Sequence, residues 1–136
     1  TGDAAASARP ALAGFAGDVL VMAGDAPLLA AAELRRLLDA HRSESAAATV
    51  LSFEPDEPGS YGRVLRDEAG RLRAIVEARD ATPEQLAVHE VNSSIYVFRA
   101  DSLWPVLERL TPQNAQGELI GHVIDATNEV PMSYLL

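Results

Sequence analysis

The sequence contains no cysteine. That excludes a disulfide scaffold and a cysteine-ligated zinc site. It contains no lysine either: all eleven basic residues are arginine. Phosphate chemistry that depends on a particular lysine has no such group within these residues. Aromatic side chains make up 5% of the chain, with a single tryptophan, Trp104. No apolar run is long enough to cross a bilayer as a helix. No basic segment precedes a hydrophobic stretch at the start, so no signal peptide is expected and the cytosol is the default compartment. Positive charge is scarce. Twenty acidic residues against eleven basic ones leave a net charge of -9. The basic stripe of a nucleic-acid binder is absent, so nucleic acid is not an expected partner.

What remains is a composition suited to a folded domain. The 136 residues are 48% hydrophobic and 23% charged. A chain of this size buries roughly two-thirds of its unfolded surface, enough for one core. Its first residue is Thr1 rather than methionine, so a piece of something longer is expected.

Periodicity gives an alternating order of helices and strands. Residues 3–15 are alanine-rich and read as a helix that Pro10 kinks or ends. Asp18-Val19-Leu20-Val21-Met22 is a short apolar run that fits a strand buried on both faces. It breaks at Gly24-Asp25-Ala26-Pro27. Leu34, Leu37 and Leu38 then share one face of a helix over roughly 30–42, with Arg35 and Arg36 on the solvated side. Ala48 to Phe53 reads as the next buried strand. This order predicts a βαβ sheet with helices on its faces. Residues 62–66 and 72–76 flank a glycine-containing turn and predict an antiparallel hairpin. Thr82, Pro83 and Gln85 have the spacing of a capping box at the start of a short helix. Val91 to Phe98 reads as a strand. Ser102 reads as the cap of a helix holding Leu103, Val106, Leu107 and Leu110, with Pro105 at its third position. Residues 116–127 have the pattern of one more helix.

Three polar residues stand where strands end. Asp25 follows a buried strand and precedes a helix, and ligands of open α/β sheets bind at the carboxyl ends of strands. A carboxylate there suits Mg²⁺, a hard cation that shares oxygen ligands with substrate phosphates. The competing reading makes Asp25 a cap of the following turn or helix. Glu77 follows Ile75-Val76, and Asn92 opens the next strand. Together they suit a hydroxyl-rich ligand such as a sugar; singly, each is accounted for by satisfying loop backbone groups. Gly59-Ser60-Tyr61-Gly62 allows close approach of backbone to a ligand, or simply marks a turn. His41, His89 and His122 share no metal-ligand spacing. His41 lies near a helix C-terminus, where positive charge is favoured.

Several short motifs follow one another in a fixed order. They are Thr1-Gly2, Asp18 to Leu29 (DVLVMAGDAPLL), Tyr61-Gly62-Arg63 and Ile75-Val76-Glu77. Asp80-Ala81-Thr82, Glu90-Val91-Asn92 and Asn114-Ala115-Gln116-Gly117-Glu118 complete the series. This series resembles the uridylyltransferase domain of the bifunctional bacterial N-acetylglucosamine-1-phosphate uridyltransferase / glucosamine-1-phosphate acetyltransferase family. That family lies within the sugar nucleotidyltransferases. The resemblance runs from residue 1 to about 118.

The resemblance implies a Rossmann-like α/β sheet, mostly parallel with an inserted antiparallel hairpin, its N-terminal strands missing. Residues 1–136 are then a partial uridylyltransferase domain, and the β-helix acetyltransferase domain is absent. It implies transfer of UMP from UTP to N-acetylglucosamine-1-phosphate with release of pyrophosphate, dependent on Mg²⁺, in peptidoglycan precursor synthesis in the cytoplasm. UTP and N-acetylglucosamine-1-phosphate are the implied partners. A homotrimer would form through the absent C-terminal domain.

By position, Thr1, Ala23, Gly24 and Asp25 match the nucleotide-binding residues, with Asp25 also the metal ligand. Gly62, Glu77 and Asn92 match the sugar-binding residues. The family's glycine-rich phosphate loop and catalytic lysine lie upstream of Thr1, so no catalytic residue is assigned and this chain alone is expected not to catalyse transfer. A second metal ligand, an asparagine, lies further downstream; Asn128 is not a motif match. The family often has an aromatic residue where this chain has Ala23, a glycine at Ser94 and a histidine at Asp3. After Glu118 it has aromatic residues and a Thr-Asp pair, where Leu119-Ile120-Gly121-His122 stands here. The alternatives are a nucleotidyltransferase for another sugar-1-phosphate and a non-catalytic sugar-nucleotide-binding remnant. A sheet stripped of strands would also expose an unpaired apolar edge, which favours self-association.

Overall fold

The computed structural model describes residues 2–24, 29–108 and 132–135. Over these residues the chain forms α1 (Gly2–Ser7), a 3₁₀ turn (Arg9–Leu12), β1 (Asp18–Val21) and α2 (Ala31–Ser43). There follow β2 (Ala48–Phe53), β3 (Arg63–Arg66), β4 (Leu72–Val76) and a second 3₁₀ turn (Ala78–Asp80). The short α3 (Pro83–Leu86), β5 (Val91–Arg99), α4 (Ala100–Leu107) and β6 (Met132–Leu135) complete it.

The strands lie in one sheet in the order β4-β3-β5-β2-β6, with β1 also paired to β5. β5 organises the sheet. At nine residues it is the longest described strand. Its first residue, Val91, pairs with Arg63 of β3, while its last four pair with β1 along the same edge. Its other edge takes β2.

The crossover expected from the sequence is present: β1, α2 and β2 follow in order, and β1 and β2 point the same way because each is antiparallel to β5. The expectation of a mostly parallel sheet is nevertheless corrected. Among the described residues β2 with β6 is the parallel pair, and every other pairing is antiparallel. The physical reason is insertion. β5 comes from far along the chain and runs opposite to both strands of the crossover, so it separates two strands that would otherwise lie side by side. β1 pairs with β5 and with no other described strand.

Alternation along β2 and β5 divides the core into two layers. On one face Val50, Tyr96 and Phe98 pack with Leu103, Val106 and Leu107 of α4. On the other, Leu51, Ile95 and Val97 pack with Leu37 of α2, helped by Leu34 and Leu38. Trp104 lies at the edge of the first layer.

Local signals behave as their chemistry requires. α1 stops at Ser7, and Pro10 opens the separate 3₁₀ turn, where its missing N–H is harmless. Thr82 Oγ1 accepts from Gln85 N at 3.3 Å and Gln85 Oε1 accepts from Thr82 N at 2.9 Å, so the capping box is complete. The expectation for α4 is corrected. The helix starts at Ala100, directly after β5, and Pro105 lies in its interior rather than at its third position. Ser102 does not cap it. The Ser102 hydroxyl is occupied by Asp101 Oδ1 at 3.1 Å and by Arg99 Nη2 at 3.2 Å. The start is fixed instead by Ala100 N donating to Gly17 O at 3.0 Å.

α2 ends in a Schellman arrangement. Ala46 N donates to His41 O and Ser45 N to Arg42 O, both at 3.2 Å, with Ser45 at φ 51°. That left-handed position favours glycine, because a Cβ there crowds the following carbonyl. Ser45→Gly is expected to raise the unfolding free energy by about 0.5–1 kcal/mol in urea titrations, after its greater unfolded-state entropy is subtracted.

His41 corrects a third expectation. It is not a charged group at a helix end but a buried neutral one, 1% exposed. Its Nδ1 lies 2.8 Å from Thr49 Oγ1, and its Nε2 has no hydrogen-bond partner among the described residues. Burial pushes its pKa below the ordinary 6.5, and the carboxylate of Asp18, 3.7 Å from Nε2, offsets this only in part. Asp18 is already engaged by Arg42 Nε at 2.7 Å. Below about pH 6.5 the unfolded chain takes up a proton that the folded chain resists. Stability is therefore expected to fall as pH drops from 7 towards the folded-state value. Urea midpoints at pH 7.5 and 5.5 check this, and His41→Gln should flatten the difference.

Candidate functional site

The sequence places Gly62, Glu77 and Asn92 far apart; the sheet brings them into one row. In the β3–β4 hairpin Arg63 pairs with Val76, so Gly62 and Glu77 stand opposite each other one step beyond the strand ends. Arg63 also pairs with Val91, so Gly62 stands opposite Asn92, and Asn92 N donates to Gly62 O at 2.9 Å. The order across three neighbouring strands is Glu77, Gly62, Asn92. Directly opposed residues share a face of the sheet.

Gly62 has a steric reason to be glycine. A Cβ on it would lie 3.2 Å from Ile75 Cγ2 and 3.4 Å from Glu77 Oε1. The missing methyl leaves room for the Glu77 carboxylate beside residue 62. Arg63 secures the loop that delivers Gly62. Its buried guanidinium donates to Gly59 O at 3.1 Å, to Leu86 O at 3.4 Å and to Tyr61 O. The 59–62 loop is thereby tied to α3. Gly59 has the φ of 49° that a turn glycine supplies.

Asn92 is 6% exposed and fully oriented. Its Oδ1 accepts from Ser94 N at 2.9 Å, and its Nδ2 donates to Tyr96 Oη at 2.7 Å. β5 is irregular here. Ser52 pairs with Asn92 while Leu51 pairs with Ile95, so Ser93 and Ser94 are extra residues on β5. Ser93 Oγ donates to Leu51 O at 2.7 Å, and Ser94 adopts φ 62°. Such bulges re-aim side chains next to functional sites. Burial raises the Tyr96 phenol above the usual tyrosine pKa, and hydrogen bonds from Asn92 and Ser94 oppose that rise. The nearby negative charge of Glu77 adds to it.

A cleft of about 460 Å³ lies beyond the bulge and is lined by Ser94 but not by Gly62, Glu77 or Asn92. Ala4, Ala5 and Ala8 of the N-terminal segment, Val21 and Ala23 beyond β1, and Ser94 on the bulge are among its walls. Val21 pairs with Tyr96, so Ala23 lies at the level of Ser94. Ala23 and Gly24 are exposed at the carboxyl end of β1, and no atom lies within 4 Å of where a Gly24 Cβ would be.

Of the residues singled out from the sequence, Gly62, Glu77 and Asn92 converge, and Ala23, with Gly24 next in the chain, lines the cleft that Ser94 also lines. Thr1 and Asp25 lie outside the described residues, as do Asn114 to Glu118 and the helix expected over 116–127. Among the described residues no three His, Asp or Glu side chains come together to hold a metal ion. Sequence reasoning missed Tyr96. The signal for it was slight: two serines interrupt the alternation of β5, and only pairing with β2 reveals a bulge there.

Comparison with known proteins adds an independent line. Residues 1–132 match the family described as Nucleotidyl transferase. The chain belongs to the nucleotidyl transferase family. Relatives of this nucleotidyl transferase include the Bifunctional protein GlmU of Pelobacter propionicus, 52% identical over 118 residues, which are 87% of this chain and 26% of the relative. The Bifunctional protein GlmU of Nocardia farcinica is 52% identical over 122 residues, 88% of this chain and 25% of the relative. The chain thus spans about a quarter of the length of these curated relatives. Among solved structures, one named for a glucose-1-phosphate thymidylyltransferase from Bacillus anthracis superposes with a TM-score of 0.71 at 12% identity. It covers 100% of this chain and 52% of its own. At that identity the likeness concerns the fold, an α/β nucleotidyltransferase sheet flanked by helices.

Proposed function

We propose that this nucleotidyl transferase chain is the sugar-binding part of a uridylyltransferase. The reaction moves UMP from UTP to N-acetylglucosamine-1-phosphate. An oxygen of the sugar phosphate attacks the α-phosphorus of UTP, the bond to the bridging oxygen breaks, and pyrophosphate leaves. The observation that carries this reading is the row of Glu77, Gly62 and Asn92 across β4, β3 and β5. It places a carboxylate acceptor, a backbone position without a side chain and an oriented amide in one row, a set suited to sugar hydroxyls and an acetamido group.

In this reading Glu77 and Asn92 hydrogen-bond the N-acetylglucosamine, and Gly62 contacts it through its backbone. Thr1, Ala23, Gly24 and Asp25 are assigned to the nucleotide by their match to the family's motifs. Ala23 and Gly24 occupy the strand end where α/β sheets bind ligands. Asp25, next in the chain, supplies the oxygen donor that Mg²⁺ prefers, with the remaining ligands drawn from phosphates and water. Bound Mg²⁺ would neutralise charge on the triphosphate. No acid–base or nucleophilic role is assigned to any residue of this chain; its residues bind and orient. The setting proposed is the cytoplasm, in the supply of peptidoglycan precursors. Among the described residues no helix is long and apolar enough to cross a membrane. A trimer built by a further domain completes the proposal.

The test is pyrophosphate release by the protein at its full natural length, with UTP, Mg²⁺ and a panel of sugar-1-phosphates. N-acetylglucosamine-1-phosphate should be the preferred acceptor. Equal or better use of glucose-1-phosphate would refute the sugar assignment.

A further inference from the structure

We propose that Tyr96 is a positioning residue of this site: its buried hydroxyl, held against the Asn92 amide, fixes which hydrogen-bonding atoms Asn92 presents to the sugar of a nucleotide sugar. The proposal rests on the sugar-site reading above and extends it to a residue that does not itself touch the ligand.

A primary amide is nearly symmetric in shape, and its oxygen and nitrogen exchange places by rotation about one bond. A site that reads a sugar with such a group must hold it in one orientation. Two contacts do so here. The Ser94 backbone N–H, 2.9 Å away, can only be met by the amide oxygen. The Tyr96 hydroxyl, 2.7 Å away, then takes one hydrogen of the amide nitrogen. What Asn92 retains for a ligand is one N–H and one lone pair of Oδ1.

Both contacts depend on the bulge. Ser93 and Ser94 are extra to the β2 ladder, and within this bulge the Ser94 N–H meets the Asn92 oxygen while Ser94 itself takes a left-handed φ of 62°. A non-glycine residue held in that region stores strain that the surroundings must sustain. Tyr96 is anchored two residues further along β5. It pairs with Val50 on one side and Val21 on the other, and its ring lies 5.7 Å from that of Phe98. At 8% exposure the phenol is too enclosed for water to replace it readily as a partner of Asn92. The Val21 contact also links the sugar row to the cleft wall beyond β1.

Tyr96→Phe removes the hydroxyl and keeps the ring, so the fold should persist. The experiment has two readouts on the protein at its full natural length. In the free protein, ¹⁵N–¹H spectra should show an Asn92 side-chain amide proton that moves upfield in the variant. By calorimetric titration, the affinity for UDP-N-acetylglucosamine should fall about tenfold, the effect of one hydrogen bond lost at a buried polar group, while that for UTP is unchanged. Equal affinity of both proteins for UDP-N-acetylglucosamine overturns the role of Tyr96 and leaves the sugar site standing. A parallel loss for both ligands shows a merely structural residue and overturns it as well. If the unaltered protein does not bind UDP-N-acetylglucosamine, the sugar site itself fails, and the role of Tyr96 with it.

Discussion

Glu90→Ala is expected to lower the unfolding free energy by about 3 kcal/mol, the scale of removing one partner from a buried ion pair. Glu90 is 7% exposed and joins three strands. Its Oε1 accepts from Ser52 Oγ of β2 and from Arg66 Nη2 of β3, each at 2.6 Å. Its Oε2 accepts from Arg66 Nε at 2.7 Å, and its backbone oxygen accepts from Val64 N at 2.9 Å. Removing the carboxylate takes the charge partner from the Arg66 guanidinium and an acceptor from the Ser52 hydroxyl at the join between the hairpin and β5. The Arg66 side chain is 33% exposed, so water can recover part of the loss. That keeps the expected effect at the lower end of the range for such pairs. Glu90→Gln keeps the volume and one acceptor and should cost less. Urea unfolding at pH 7.5 checks both variants. A loss below about 1 kcal/mol for Glu90→Ala would mean that the pair does not hold the hairpin in place.

The second large effect concerns binding. Glu77→Ala combined with Asn92→Ala should lower affinity for UDP-N-acetylglucosamine by about a hundredfold or more, since hydrogen bonds to a charged group contribute about 1.5–3 kcal/mol and a neutral one about 1. Affinity for UTP should not change, because neither side chain faces the nucleotide in the proposed arrangement. The single variants differ in character. Glu77 is only partly buried, so its loss should leave stability nearly intact. Asn92 is buried and carries the Ser94 and Tyr96 contacts, so its loss should also cost stability. Calorimetric titration with the two ligands separates these contributions. Loss of UTP binding to the same extent would place Glu77 and Asn92 outside a dedicated sugar site.

Legibility in the sequence followed the range of the interactions. The hairpin of β3 and β4, the capping box at Thr82 and the extent of β2 were readable because each depends on residues near in sequence. The direction of the sheet was not. It hinges on β5 entering between β1 and β2, a pairing of segments far apart in the chain that leaves no local trace. The start of α4 was misread because Ser102 has the chemistry of a cap, but its hydroxyl is taken by Arg99 and Asp101. His41 was misread because a charge preference at a helix end is weak beside the penalty of burying that charge.

At the site, Glu77 and Asn92 drew attention as polar groups at strand ends. Their convergence on Gly62 emerged only from the register of three strands. Tyr96 carried no signal of its own within the strand read over residues 91–98. Its role follows from a two-residue bulge that no periodicity announces.

The most direct measurement is a crystal structure of the full-length protein with UDP-N-acetylglucosamine and Mg²⁺. The hexosamine ring should lie within hydrogen-bond distance of the Glu77 carboxylate and the Asn92 amide, with Gly62 backbone against it. A sugar bound away from that row, with Glu77 and Asn92 turned to solvent or to protein alone, would contradict the account.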